Sequence, residues 1–167
     1  MSSKLIPKKG RVWIAVGKLI YFVGWPAIYL IIRTSPQRTR TLVLSEGKLL
    51  LTKDWIGTGS WSIPGGGLHV NENQVTGALR ELKEETGLKL TPKELLKLGS
   101  IVIRNNGIKT SLIVYKAEFL KKPKIYINGT EIIDYKWVDS IELKKINIDT
   151  STRKIIGSFP SVANLIQ

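Results

Sequence analysis

Three glutamates, Glu81, Glu84 and Glu85, stand at spacings of three and four residues. On a helix those spacings bring all three carboxylates to one face. Carboxylates this close repel, and they raise one another's pKa unless a cation sits among them. Oxygen donors of this kind suit a hard divalent cation, Mg²⁺ or Mn²⁺. Val75, Ala78, Leu79 and Leu82 fall on the neighbouring face, which can pack on a core. The flanks agree with this reading. Pro64-Gly65-Gly66-Gly67 precedes the helix, and without Cβ atoms a backbone carbonyl or amide can approach an ion or a phosphate. Gly87 follows Thr86, where a helix would stop in a left-handed residue. The pattern predicts a loop–helix–loop metal site, its helix running from about Asn73 to Thr86.

Composition leaves that site few rivals. A length of 167 residues suits one domain with its own core, and 43% hydrophobic content argues against disorder. The absence of cysteine excludes disulfides and thiolate metal sites. One histidine, His69, speaks against a zinc site built on histidines. A net charge of +13 favours anionic partners: polyphosphates, nucleic acid or an acidic membrane surface. Residues 1–45 carry eight Lys or Arg, and the first acid is Glu46. Glu72, Glu81, Glu84 and Glu85 then crowd four of the 13 acids into one stretch. A basic chain that gathers its carboxylates in one place points to a cation site facing an anionic substrate.

The elements that must position this helix follow from periodicity and turn chemistry. Thr34 to Arg40 reads as a polar, basic connection. Thr41–Leu44 and Leu49–Thr52 read as strands joined at Ser45-Glu46-Gly47. Trp55 to Gly67 reads as a glycine-rich loop. Thr91-Pro92-Lys93-Glu94 is a helix cap or a turn. Leu98–Arg104 and Thr110–Leu120 form strands around the hairpin signal Asn105-Asn106-Gly107. Ile125–Ile127 is a short apolar stretch in a basic loop, Tyr135–Val138 a final strand and Asp149–Gly157 a terminal helix. Strands on both sides of a metal-carrying helix make a mixed α/β domain.

The central stretch resembles the signature of the Nudix hydrolases. Gly66, Glu72, Arg80-Glu81, Leu82, Glu84-Glu85, Gly87 and Leu88 fill every fixed position, and Trp61 to Gly67 is similar to the loop that leads into it. His69 stands where many members carry Glu, and Asn71 where many carry Gly; Asn tolerates a left-handed turn. The resemblance implies a Nudix-like α/β/α sandwich with a mixed sheet over roughly residues 38–145, and the Nudix hydrolase domain is assigned to residues 38–167. It implies an enzyme acting on a pyrophosphate linkage in a nucleoside diphosphate derivative, a nucleotide pyrophosphohydrolase dependent on Mg²⁺ or Mn²⁺. By resemblance, Glu81, Glu84 and Glu85 with the Gly66 carbonyl hold the ions, and Arg80 pairs with a carboxylate and sets glutamate geometry. Members differ in which residue is the base. Glu118 and Glu131 are candidates for an extra ligand or base, Glu131 preferred because it lies six residues before Trp137. Trp61, Arg104 and Lys109 are substrate-binding candidates; Trp55 or Trp61 could stack on a base, although core packing explains an aromatic as well. Two rival functions are an RNA 5′-end pyrophosphohydrolase, motivated by the basic charge, and a non-catalytic Nudix-fold nucleotide-binding module, which the retained glutamates disfavour.

Residues 1–37 are a separate unit, a basic tail and an apolar helical segment. Trp13 to Ile32 is apolar but for Lys18, with Pro26 inside, and its uninterrupted run from Leu19 spans only fourteen residues. That length suits a buried or interfacial helix better than a span. The expectation is a cytoplasmic enzyme whose segment 13–32 covers apolar surface on the domain or on a second subunit of a homodimer. Peripheral membrane contact comes second, since basic residues on both sides would rest against anionic lipid.

Overall fold

A computed structural model of the chain describes residues 37–55, 59–105, 108–127, 129 and 131–163, with only Val16, Leu19, Val23 and Gly24 before them. The expected apolar segment 13–32 lies, apart from those four positions, outside the described residues. Among the described residues no helix is long and apolar enough to cross a membrane.

Among the described residues six strands form one mixed sheet: β1 (Gln37–Ser45), β2 (Lys48–Asp54), β3 (Trp61–Ser62), β4 (Leu96–Asn105), β5 (Ile108–Phe119) and β6 (Ile132–Val138). Their order is β3-β2-β1-β5-β4, with β6 also paired to β2. Only β1 and β5 run parallel; every other named pairing is antiparallel. Helix α1 (Gln74–Thr86) covers one face of the sheet. On that face Val43 and Leu50 meet Leu82, and Ile113, Tyr115 and Ala117 meet Ala78. The other face carries α3 (Thr150–Ser158) and α4 (Pro160–Ala163), whose Ile155 and Val162 join Leu42, Leu44, Leu49 and Leu51. A short helix α2 (Ser140–Lys145), capped by the Asp139 carboxylate, links β6 to α3. Because β1 is covered on both sides, Leu42, Val43 and Leu44 are all buried, the continuous apolar run of a central strand.

The sheet opens where the site lies. β1 and β2 pair only at Leu44 with Leu49 and at Ser45 with Lys48, and then diverge. The chain from Trp61 to Gly67 fills the wedge. Its start pairs with β2, Lys53 opposite Trp61 and Thr52 opposite Ser62. Its end runs along β1: Thr41 N–H donates to the Pro64 carbonyl, Thr39 N–H donates to the Gly66 carbonyl, and Arg38 bridges Gly67.

Three sequence expectations change. β1 starts at Gln37 rather than Thr41, because Gln37 to Arg40 pair with Ser111 to Val114 of β5 on one edge and meet Gly66–Gly67 on the other. Trp61–Ser62 is a short strand inside the stretch read as loop. The final strand starts at Ile132, since β2 offers it partners from Leu49 to Asp54.

Candidate active site

Helix α1 is set by its two ends. Asn73 caps the N-terminus, its side-chain oxygen accepting from Val75 N–H at 2.9 Å, and Gly87 ends the helix at φ 73° with its N–H on the Lys83 carbonyl. Asn71 takes the left-handed conformation at φ 61° in the approach to the helix. That turn brings Glu72 back toward the helix, where His69 N–H donates to its Oε2 at 2.9 Å.

Arg80 ties the approach loop to the helix. Its Nε donates to Glu72 Oε1 at 2.8 Å and its Nη2 to Glu72 Oε2 at 2.9 Å, a two-pronged pair. Nη2 also reaches the Gly67 carbonyl at 2.9 Å. Nη1 donates to Glu81 Oε1 at 2.9 Å and to Glu84 Oε2 at 3.1 Å. The Arg80 hydrogen bonds hold the Glu72 carboxyl down to about 2. The same bonds, to Glu72 first, push the Arg80 guanidinium above its ordinary range.

The three glutamates occupy three different environments. Glu84 is the most open, its side chain 48% exposed. Glu81 is 13% exposed, and its carboxyl lies over Gly66: a Cβ there would fall 2.5 Å from the Glu81 carboxyl atoms. Glu85 is buried, with Gly65 N–H donating to its Oε2 at 2.9 Å. Burial pushes the Glu85 carboxyl up to about 8, against the opposing pull of Arg40 and the Gly65 N–H. Gly65 itself sits at φ 134°, and a side chain there would collide with the Thr39 carbonyl. Only glycine lets the loop lie this flat on β1.

The donor set fits a hard divalent cation: carboxylate oxygens from one helix beside the backbone carbonyl of Gly66. Among the described residues no three acidic or imidazole side chains already converge as a closed cage. Arg80 draws Glu81 and Glu84 to itself, and the Gly66 carbonyl accepts from Thr39. An ion held by one or two carboxylates together with substrate phosphates needs no such cage, which is the habit of Mg²⁺.

The structure brings to the site two residues that the sequence places only in a polar, basic connection. Arg38 and Arg40 alternate along β1 with the buried Thr39 and Thr41, on the strand face shared with Leu42 and Leu44. Arg38 Nε, Arg40 Nε and Arg40 Nη1 are shut off from solvent with no hydrogen-bond partner among the described residues. Burial, then the Arg40 charge, push the Arg38 guanidinium down, while Glu81, Glu85 and Asp54 pull it back. Asp54 follows a bulge in the β2–β6 ladder. Its residue surface is exposed, yet the protein crowding its carboxyl pushes its pKa up, against the nearby Arg40 and Arg38. The signal available in the sequence was the spacing Arg38-x-Arg40 running straight into the apolar run of β1.

The remaining candidates are spread around this centre. Glu131 is close enough to raise the Asp54 carboxyl's pKa, and its carbonyl accepts from Trp55 N–H at 2.7 Å. Trp61 packs against the α3-side core, with Lys53 Nζ 5.5 Å from its ring centre. Arg104 and Lys109 face each other as an exposed pair near the tip of the β4–β5 hairpin. Glu118 is exposed on β5 and pairs with Lys116 at 2.9 Å. His69 is exposed in the approach loop.

Comparison with known proteins gives the family and the fold. The NUDIX domain model matches residues 35–159. Over 58 residues the chain is 38% identical to the phosphatase NudJ of Escherichia coli K12, covering 34% of this chain and 38% of NudJ. The match thus spans well under half the length of that curated relative. Among solved structures, the bifunctional NMN adenylyltransferase/ADP ribose pyrophosphatase of Francisella tularensis superposes with a TM-score of 0.68 at 21% identity, over 89% of this chain and 47% of that one. The NUDIX domain of Shewanella oneidensis NrtR, complexed with ADP ribose, gives 0.67 at 17% identity over 81% and 96%. The MutT protein of Methanosarcina mazei Go1 gives 0.63 at 22% identity over 75% and 92%. At these identities the structural likeness is one of fold.

Proposed function

The chain belongs to the Nudix family, and from that premise we propose that it hydrolyses a pyrophosphate linkage in a nucleoside diphosphate derivative, using Mg²⁺ or Mn²⁺. The observation that carries this reading is the contact of Glu85 with Gly65 and of Glu81 with Gly66, with Arg80 joining Glu72, Glu81, Glu84 and the Gly67 carbonyl. Glu81, Glu84, Glu85 and the Gly66 carbonyl would hold the cation. When bound, it supplies neutralisation of phosphate charge and acidification of water.

The chain's own residues do the positioning. Arg80 keeps Glu72 and Glu81 at fixed places over the loop, so the carboxylates are arranged before substrate arrives. Gly66 leaves the space above it to the Glu81 carboxyl. Glu84 and Glu131 are exposed, so both are in reach of water, and they are the two carboxylates to test as proton acceptor. Retention of Glu72, Glu81, Glu84 and Glu85 favours hydrolysis over a binding module.

The test is a hydrolysis screen with and without Mg²⁺ or Mn²⁺ over nucleoside triphosphates, nucleotide sugars, ADP-ribose, dinucleoside polyphosphates and 5′-triphosphate RNA. Metal-dependent release of a nucleoside monophosphate or of pyrophosphate is the expected result. Turnover confined to RNA and falling steeply with salt would move the assignment to RNA ends. Tight nucleotide binding without turnover under any metal would make the chain a binding module.

A further inference from the structure

We propose that the loop from Leu120 to Tyr126 docks on an anionic lipid surface, with Leu120 entering the acyl region and the lysines resting on the headgroups.

The loop is pinned from both sides. Phe119 and Ile125 pack with Val43, Leu50, Leu82 and Leu88 under helix α1. Tyr126 N–H donates to the Thr86 carbonyl at 2.9 Å, at the end of that helix. Between these anchors the side chains turn outward. Leu120 is 99% exposed, and Lys121, Lys122, Lys124 and Tyr126 are exposed with it. Phe119 faces the core, so Leu120 continues the alternation of β5 on the outer side.

A single exposed leucine is ordinary. This one stands among three lysines, in a stretch from Phe119 to Thr130 without an acid. Of the acids close by, Glu46 pairs with Lys122 at 3.1 Å and Glu118 with Lys116 at 2.9 Å. Lys124 lies over the Tyr126 ring, its Nζ 4.9 Å from the centre. An aromatic with a polar tip and a lysine with a long apolar stem both suit a headgroup boundary, one end dry and the other wet.

Charge asks for an anionic partner, and the aliphatic side chains choose among anionic partners. A net charge of +13 disfavours a second copy seated on the same basic loop. Nucleic acid would meet the lysines and leave Leu120 in water. A bilayer with anionic headgroups takes both, the cations at its surface and the leucine just beneath. A second part of the chain has the same character. Leu19 and Val23 are helical, four residues apart and so on one face, and both are exposed. They belong to residues 1–45, which hold eight Lys or Arg and no acid. One membrane signal gives weak, reversible attachment, and stable attachment takes two.

The chain has no cysteine, so Leu120→Cys carries a single environment-sensitive fluorophore on the full-length protein. Ser158→Cys, exposed on α3 across the sheet, carries the control label. Each is mixed with vesicles of equimolar phosphatidylcholine and phosphatidylglycerol, or of phosphatidylcholine alone. We expect blue-shifted emission from the Leu120→Cys label on anionic vesicles only, quenched by lipids spin-labelled near the top of the acyl chain. The Ser158→Cys label should not shift. Unlabelled Leu120→Ser should cosediment with anionic vesicles ~10-fold more weakly than the parent, and Lys121→Gln with Lys124→Gln roughly 20-fold more weakly. These side chains are exposed, so melting temperatures should match the parent. An unshifted Leu120→Cys label on anionic vesicles, or an equal shift on phosphatidylcholine alone, overturns the proposal. So does a lysine variant that loses vesicles and an RNA oligonucleotide equally while Leu120→Ser binds both like the parent, which would make the loop a general polyanion face. A lipid-free dimer that Leu120→Ser dissociates would give the surface to a second copy and overturn the proposal as well.

Discussion

Gly65 N–H donates to Glu85 Oε2 across 2.9 Å, and this bond joins the loop that fills the sheet's wedge to the helix that carries the carboxylates. The bond couples two geometries. The loop must lie flat on β1 for Gly65 to face the helix, and the helix must keep its register for Glu85 to reach the loop.

Two neighbouring glycines should therefore fail in different ways. Gly65→Ala places a Cβ at φ 134° against the Thr39 carbonyl, a backbone atom that cannot swing aside. Its cost should exceed roughly 2 kcal/mol of stability, read by chemical denaturation. The atoms nearest to a Gly66→Ala side chain are those of the Glu81 carboxyl, a side-chain end that can turn aside by giving up Arg80. This variant should lose most turnover at a small cost in melting temperature. Equal destabilisation by both would disprove this division.

Glu84→Gln and Glu85→Gln should each lower turnover more than ~100-fold, the scale of a lost metal or acid–base role. Neither should unfold the protein. Glu84 is solvent-facing, and a buried carboxyl with its pKa pushed up to about 8 is mostly neutral at pH 7 already. Parent-like kcat at saturating Mg²⁺ in both variants would sink the assignment.

The metal-free protein should lose stability as pH rises. The Glu85 carboxyl has its pKa raised from 4.5 to about 8 by burial. Between those values the folded state holds a proton that the unfolded state has released, so its contribution is full below about pH 4.5 and lost through pH 8. Denaturation in EDTA from pH 5.5 to 8.5 should show the decline, and Glu85→Gln should flatten it. Mg²⁺ should offset the loss at the alkaline end, because a cation favours the ionised carboxyl.

Glu72 works in the opposite direction. Its pKa is lowered to about 2 by the Arg80 hydrogen bonds, so its contribution is present above about pH 4.5 and lost as pH falls toward 2. Arg80→Ala should remove that acid limb. It should cost roughly 1–3 kcal/mol, since Glu72 and Glu81 would be left largely buried without their cation. Turnover should drop with it. An unchanged acid limb together with unchanged kcat would show Arg80 to be a bystander.

Much of this molecule was legible in one dimension. Asn73, Gly87 and the spacing of Glu81, Glu84 and Glu85 are local facts, and helix caps and helix faces depend on residues within a few positions of one another. The left-handed Asn71 belongs to the same class. So does the hairpin between β1 and β2, signalled by Glu46 and Gly47, both of which turn out at positive φ. Trp61–Ser62 was hidden because a two-residue strand has no periodicity of its own and exists only where β2 offers an edge.

Arg38 and Arg40 mark the boundary between the two kinds of information. Their own neighbourhood, Thr34 to Arg40, is polar and reads as a connection. They are strand residues because β5 pairs with them from more than seventy positions away, and they lie beside the carboxylates because the Gly66 loop returns along β1. By itself the sequence determined which helix would carry the carboxylates and where that helix starts and stops, because those are short-range consequences of residue type. Only the tertiary structure decided which cations face them, because strand pairing is long-range and a buried guanidinium without a partner cannot be recognised until the surrounding chain is in place.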